Sequence, residues 1–355
     1  MDIMKQTGMV LQGGGALGAY EFGALKRLYE EPQFSLDIVS GVSIGAINAI
    51  ALVGAKDEPI ATLEAIWNEF ALFSSPFLND KLASYLALFG NPSFFYPRTD
   101  YWNLADWTCF YLTKPLQQLL EKYIDFKKVN NSSMRLILTA TDIATGKVKT
   151  FSNQGNDRTE ITPLHVLASG SLPPGFPMTT IKNTCYWDGG LFENTPLSPV
   201  LESLNPDPSV EKQIIVINLF PSKGQIPKNM IDVFDRIFEI QFSNKIRFNK
   251  ELTEKINEYI EVINEIEQIV PIDSPIKQLP GYQRLINYKY IQNILYIENK
   301  DPENVNAPFD FSSDTLGRRI DAGYRDAGNA LRVFNSRVNT DRTYEKSQGR
   351  GKKCF

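Results

Sequence analysis

Gly41-Val42-Ser43-Ile44-Gly45 is the stretch whose reading decides the fold. A short apolar run precedes it (Leu36, Ile38, Val39), and a run of small and apolar residues from Ala46 to Val53 follows. That order predicts a buried strand, a sharp turn and a helix. On such a turn a serine is lifted out of the sheet edge with its Oγ exposed, and glycine two positions to either side lets the crossing backbones approach. The helix that follows aims its N-terminus at the serine, where developing negative charge is stabilised. Ser43 is therefore a candidate nucleophile. A chain of this length produces Gly-x-Ser-x-Gly by chance about one time in ten, so the motif needs partners.

The first partner lies upstream. Gly8 to Gln12 predicts a buried strand that runs into Gly13-Gly14-Gly15-Ala16-Leu17-Gly18, and a helix follows from Ala19 to Glu30 with Phe22, Leu25 and Leu28 on one side. Glycines between a strand and a helix free several backbone N–H groups and permit dihedrals that aim them at one point. Acyl transfer needs such donors for its tetrahedral oxyanion. Gly13, Gly14, Gly15 and Ile44 are the candidate donors, with Gly18, Gly41, Gly45, Gly189 and Gly190 as supporting positions.

The second partner lies downstream, in Asp188-Gly189-Gly190 at the end of a brief strand, Cys185 to Trp187. The chain has one histidine, His165, inside a short apolar helix from Pro163 to Ser169. That setting suits a structural histidine better than a catalytic one. The order of residues also differs from the Ser, acid, His order of α/β-hydrolases. A Ser43–Asp188 dyad is the simpler expectation, with Asp188 taking the serine proton and returning it to the leaving alcohol.

Composition narrows the class. The 355 residues are 43% hydrophobic and 22% charged, an ordinary globular balance with apolar side chains enough for a large core. A net charge of −4 does not look like a nucleic-acid binder. Cys109, Cys185 and Cys354 are too dispersed for a disulfide framework or a metal site, which points to a reducing compartment and no metal. Met1 to Gly8 lacks the basic-then-apolar layout of a signal peptide. The uncharged run Ile38 to Ala55 contains Ser40, Ser43, Asn48 and three glycines, so it reads as buried strand, turn and helix rather than a membrane span. A soluble, cytoplasmic protein is expected, with export free of a signal peptide left open.

Further along, helices are expected over Pro59 to Phe73 and Thr113 to Ile124, and a strand over Arg135 to Asp142 with Lys147 to Phe151 returning as a hairpin arm. Gln213 to Leu219 reads as a strand, Asn229 to Val270 as two amphipathic helices, Tyr288 to Ile297 as a late strand and Ser313 to Phe334 as a final helix. Between Phe77 and Tyr111 the chain is aromatic and irregular. It reads either as a satellite core under a long connection or as a lid whose aromatics meet lipid. Strands alternating with helices imply an α/β fold with a largely parallel sheet. The organisation expected is one domain, 1–335, with core motifs in 8–220, a cap or lid in 77–111 and a helical part in 226–335. A basic, disordered tail, 336–355, follows, with Lys352, Lys353 and Cys354 as a candidate anchor to anionic lipid.

Gly13-Gly14-Gly15-Ala16-Leu17-Gly18, Gly41-Val42-Ser43-Ile44-Gly45 and Asp188-Gly189-Gly190 resemble, in order, the three signature blocks of patatin-like phospholipases. Thr141-Asp142 through Gly146 to Phe151, and Ala168-Ser169 through Pro173 to Phe176-Pro177, resemble that family too. The segment from Asp310-Phe311-Ser312 through Thr315 to Arg319 and Gly323 is similar to the end of a bacterial subset. The resemblance spans roughly Gly8 to Phe220. It implies a three-layer α/β/α sandwich related to cytosolic phospholipase A2 and a serine lipid acyl hydrolase of phospholipase A or lysophospholipase type. It further implies a Ser–Asp dyad, a glycine-rich oxyanion hole and no metal or organic cofactor. A phospholipid or lysophospholipid is the implied substrate, with peripheral membrane contact and the need for a protein activator left open. Many members carry Arg or Lys where this chain has Leu17, which leaves less positive charge at the glycine loop.

Two rival readings use the same residues. A patatin fold that has lost hydrolysis would be a lipid-binding module. Gly13 to Gly18 also satisfies Gly-x-Gly-x-x-Gly between strand and helix, and Asp37 follows Gly18 by 19 residues, near the place of a ribose-binding acid in a nicotinamide-dependent enzyme.

Overall fold

The computed structural model describes residues 4–72, 90–205, 207, 209–220, 226–228, scattered positions between 230 and 268, 269–282, 293–300 and 309–349, with side chains of the last helix through 336. The chain opens with β1 (Lys5–Leu11), α1 (Gly18–Tyr29), β2 (Ile38–Gly41), α2 (Ile44–Gly54) and α3 (Pro59–Phe70). A small hairpin follows, β3 (Tyr96–Pro97) and β4 (Tyr111–Leu112), then α4 (Lys114–Tyr123), α5 (Phe126–Asn131), β5 (Arg135–Asp142), β6 (Val148–Ser152) and α6 (Pro163–Ser169). Next come β7 (Thr179–Ile181), β8 (Thr184–Asp188), α7 (Leu197–Ser203), β9 (Glu211–Asn218), β10 (Asn293–Glu298) and α8 (Ser313–Gly349).

The strands form an eight-stranded sheet in the order β10-β9-β1-β2-β5-β8-β7, with β6 paired to β5. Pairings from β10 across to β5 are parallel. Those of β5 with β6 and β8, and of β7 with β8, are antiparallel. The apolar runs of β1, β2, β5 and β9 are buried on both faces, as parallel strands between two helical layers must be. Alternation sorts the side chains. Val10, Ile38, Ile137, Ile214 and Val216 face α7, where Leu197 and Val200 complete a small core. Their neighbours Met9, Leu11, Val39, Leu138, Ile215 and Ile217 point the other way, into the main core with α1, α2, α3 and α8. The result is the α/β/α sandwich, mixed and mostly parallel.

α8 crosses α1 almost backbone on backbone. A Cβ on Gly23 would lie 1.9 Å from the Ile320 carbonyl oxygen, and one on Gly323 would lie 1.9 Å from that of Tyr20. Tyr20 donates its hydroxyl to Asp326 at 2.9 Å beside this crossing.

Several expectations change. α3 ends at Phe70 rather than Phe73. α8 continues to Gly349, where polar sequence predicts a helix end at Phe334 and a disordered tail from residue 336. Residues 335 to 348 hold no proline or glycine, so a chain already wound has nothing there to stop it. Arg350 to Phe355, with the candidate lipid anchor, lie outside the described residues, as does most of the expected helix pair over 229–270. In the aromatic connection, residues 73–89 lie outside too. Beyond them the two readings divide the segment: Phe94 and Phe95 are buried in the main core, whereas Tyr101, Trp102 and Leu104 are exposed.

Candidate active site

Register brings the three sequence blocks together. Leu11 of β1 stands opposite Gly41 of β2, and Gly41 stands opposite Leu138 of β5. Two residues farther along β5, Ala140 pairs with Asp188. The glycine loop after β1, the Ser43 turn after β2 and Asp188 at the end of β8 therefore meet on one side of the sheet.

Ser43 sits at φ 55°, ψ −123°, directly before α2. A non-glycine residue at such dihedrals costs about 1–3 kcal/mol unless its surroundings fix it. Here they do. The Ser43 N–H donates to both the carbonyl and the hydroxyl oxygen of Ser169, each at 3.1 Å. The Ser43 carbonyl accepts the Ala46 N–H at 3.0 Å, and the Val42 carbonyl accepts that of Gly45 at 2.9 Å. The flanking glycines are required by contact: a Cβ on Gly41 would meet the Gly45 carbonyl oxygen at 2.3 Å, and one on Gly45 would meet that of Leu11 at 2.6 Å.

Asp188 is 2% exposed. Its Oδ1 accepts the Gly190 N–H at 2.7 Å, and it lines the same cleft as Ser43. Burial raises the Asp188 pKa to about 7, against the lowering effect of the nearby Ser43 side chain and the Gly190 N–H. The backbone is pinned as well, since the Asp188 N–H donates to Ser171 and the Asp188 carbonyl accepts the Thr141 hydroxyl at 2.9 Å. Gly189 crosses the Thr139 carbonyl, and Gly190 turns the chain toward Asn194.

Among the described residues, the N–H groups of Gly14, Gly15 and Ile44 have no acceptor, and all three residues line the same cleft as Ser43 and Asp188. Gly13 differs from expectation. Its N–H donates to the Asn194 carbonyl at 3.4 Å, and its carbonyl accepts Asn194 Nδ2 at 2.9 Å. It braces the loop rather than offering a donor, and the Ser43 N–H is likewise engaged, by Ser169. Gly18 opens α1 against Ile44 and Trp67.

Sequence reading missed Asn194, Ser169 and the polar group behind the loop. Gln12 donates its N–H to Glu21 Oε1 at 2.6 Å, Asn48 donates to Glu21 Oε2 at 2.9 Å, and Trp67 donates to Asn48 at 3.0 Å. The Gln12 side chain accepts the Leu219 N–H at 2.7 Å and donates to Thr195 at 3.2 Å. Glu21 is fully buried, and burial raises its pKa to about 8 despite those donors. The signals were slight: a carboxylate on the apolar side of α1, and an asparagine six residues after Asp188.

The cleft is otherwise apolar, walled by Ile47, Phe94, Phe95, Leu116, Phe176 and Phe311. Its aromatic rings interlock, with Phe94–Phe95 centroids 5.5 Å apart and Phe95–Phe176 5.3 Å apart. Such a site can take a hydrocarbon chain against its wall and a polar, reacting group at Ser43.

Two rival assignments fail on geometry. His165 Nδ1 accepts the Thr162 N–H at 3.1 Å as part of a helix cap, its ring packs on Phe151 at 4.7 Å, and burial lowers its pKa to about 4. It is a neutral structural histidine, as expected. Asp37 accepts the Thr7 N–H at 2.8 Å and its carbonyl accepts that of Arg135, so it ties together the starts of β1, β2 and β5. A ribose-binding acid belongs at the opposite, carboxyl ends of the strands. Among the described residues, no group of three or more His, Cys, Asp or Glu could hold a metal ion, and no helix is long and apolar enough to cross a membrane.

No curated protein matches the sequence. Among solved structures, VipD from Legionella pneumophila is similar at 16% identity and a TM-score of 0.43, covering 93% of this chain and 67% of its own. The ExoU–SpcU complex of the Pseudomonas aeruginosa type III secretion system gives 12% identity and a TM-score of 0.37, over 93% of this chain and 52% of the other. The model of the patatin-like phospholipase family matches residues 9–201, more than half of the chain and all three motif blocks. The chain belongs to the patatin-like phospholipase family.

Proposed function

We propose that the protein is a lipid acyl hydrolase of phospholipase A or lysophospholipase type, working through Ser43 and Asp188. The observation that carries this reading is that Ser43, on its glycine-flanked turn, and the buried Asp188 carboxyl line one apolar cleft together with the unengaged N–H groups of Gly14, Gly15 and Ile44. Family membership supports lipid hydrolysis in general.

Ser43 Oγ attacks the ester carbonyl carbon as its proton passes to the Asp188 carboxylate, and the carbonyl electrons move onto oxygen. The N–H groups of Gly14, Gly15 and Ile44 receive that oxyanion, helped by the positive end of α2. Collapse expels the alcohol, which takes the proton back from Asp188, and leaves the acyl group on Ser43. A water then gives a proton to Asp188 as it attacks the acyl-enzyme carbonyl; collapse breaks the bond to Ser43 Oγ, which takes the proton back from Asp188, and the fatty acid is released. The acyl chain lies along the phenylalanine wall throughout. An aspartate of ordinary pKa would be a weak base, so the raised value suits the task. No step draws on a cofactor.

Release of fatty acid from phosphatidylcholine and lysophosphatidylcholine in mixed micelles tests this. Wild type should turn over at least one of them, with Ser43→Ala and Asp188→Asn each lower by about 10⁴-fold or more. A Ser43→Ala variant as active as wild type would overturn the assignment. A wild type inert on every ester would favour the lipid-binding module instead.

A further inference from the structure

The connection from Asn91 to Thr113 carries the most exposed aromatic cluster described outside the cleft. Tyr101, Trp102, Leu104 and Phe110 stand in solvent, Trp102 at 87% and Tyr101 at 67% exposure. They sit on the loop between β3 and β4, where Tyr101 to Asp106 form two short 3-10 turns kinked at Asn103. The loop is built and held. Arg98 pairs with Asp100 at 2.5 Å and lies over the Trp107 ring at 4.9 Å, and the Arg98 N–H donates to the Phe110 carbonyl.

The base of this hairpin packs against the wall of the cleft. The Phe110 N–H donates to the carbonyls of Pro174 and Gly175, and the Tyr111 N–H donates to Gly175 at 2.9 Å. The Tyr111 ring packs on Phe95 at 4.8 Å, and both Phe95 and Phe176 face Ser43's cleft.

We propose that the 96–112 hairpin is the docking element for a lipid surface, inserting Trp102, Tyr101 and Leu104 at headgroup depth and delivering the scissile ester to the cleft behind it. The proposal rests on the acyl-hydrolase reading for the purpose of docking, but not for its occurrence. Tryptophan and tyrosine suit that interface because one end is apolar and the other polar. Charge separates a bilayer from a protein partner. From Gly90 to Lys114 the charges are Arg98, Asp100, Asp106 and Lys114, which cancel. Protein hot spots are enriched in arginine beside tryptophan and tyrosine, whereas Arg98, the loop's one arginine, is paired with Asp100 and packed on Trp107. Docking by this hairpin therefore needs neither anionic lipid nor low salt.

Flotation with pure phosphatidylcholine vesicles, at low and high salt, tests the proposal on the full chain. Wild type should float under both conditions, with a blue shift of tryptophan emission that Trp102→Phe diminishes. Combined Tyr101→Ala, Trp102→Ala and Leu104→Ala should weaken binding by about tenfold or more, from the apolar area withdrawn. Fluorophosphonate labelling without vesicles should proceed equally in both proteins and so report an intact site. Equal flotation of wild type and triple variant overturns the proposal. So does wild-type flotation that requires phosphatidylserine and vanishes in salt, which points to the basic C-terminal residues. Failure to bind any vesicle overturns it too and leaves a protein partner for the cluster. If neither protein labels, the acyl-hydrolase reading fails, and flotation still decides docking.

Discussion

Asp188 is held where its charge is poorly solvated, and that has a measurable cost. Its folded pKa, about 7, lies above that of an unfolded aspartate, near 3.9. The folded state thus holds the extra proton between those values, and stability from this group falls as pH rises from about 4 to about 7, then stays low. Asp188→Asn keeps an acceptor for the Gly190 N–H and removes the buried charge. It should stabilise the protein by about 2–4 kcal/mol at pH 8 while abolishing hydrolysis. Urea melts at pH 5 and pH 8 would check this, the gain appearing at pH 8 and nearly disappearing toward pH 4. Glu21 should behave differently because two donors depend on it. Glu21→Ala strands the Gln12 N–H and the Asn48 amide and should cost about 2–5 kcal/mol. Glu21→Gln should recover part of that cost, as denaturant melts of the two variants would show. Ser43 and Asp188 were legible because glycine-flanked motifs announce them. Glu21, Asn194 and Ser169 were not, because their importance comes from long-range hydrogen bonds that no spacing encodes.

Among elements, the turn between β2 and α2 is the least tolerant. Gly41→Ala puts a methyl 2.3 Å from the Gly45 carbonyl oxygen, and the backbone on both sides is fixed. We expect a loss of more than about 3 kcal/mol or no soluble protein. Gly146→Ala makes a control, for its φ of 66° is strained but nothing lies within 4 Å, so about 1 kcal/mol should be lost. Thermal melts would separate the two. Strand and helix types were readable from periodicity, as β5 over Arg135–Asp142 and α6 over Pro163–Ser169 illustrate. Ends were less so. Beyond Phe334 periodicity is lost, yet α8 runs on, because the residues that terminate a helix are absent and a polar face needs no period. The aromatic connection resisted a single reading because buried and exposed rings alternate within it, and composition cannot tell them apart.

Over the whole molecule, the match to the family ends at residue 201, but the sheet needs β9 and β10, and α1 needs α8. Truncation before Ser313 would bare one side of α1 and the buried Phe311, so the shortened chain should fail to fold. Gly323→Leu, which drives a side chain into the Tyr20 carbonyl, should mimic part of that loss. Circular dichroism and melting of both proteins would show it. Family-level recognition therefore marks the chemistry better than it marks the folding unit. Chemistry is also where the most direct measurement lies. Wild type would be reacted with a fluorophosphonate across pH 5 to 9, and the adduct mapped by peptide mass spectrometry. The adduct should fall on Ser43, with a rate that climbs through about pH 7 as Asp188 ionises and then levels. Asp188→Asn should flatten that profile near zero. An adduct on another residue, or a rate on Ser43 indifferent to both pH and Asp188→Asn, would contradict a serine activated by this carboxylate.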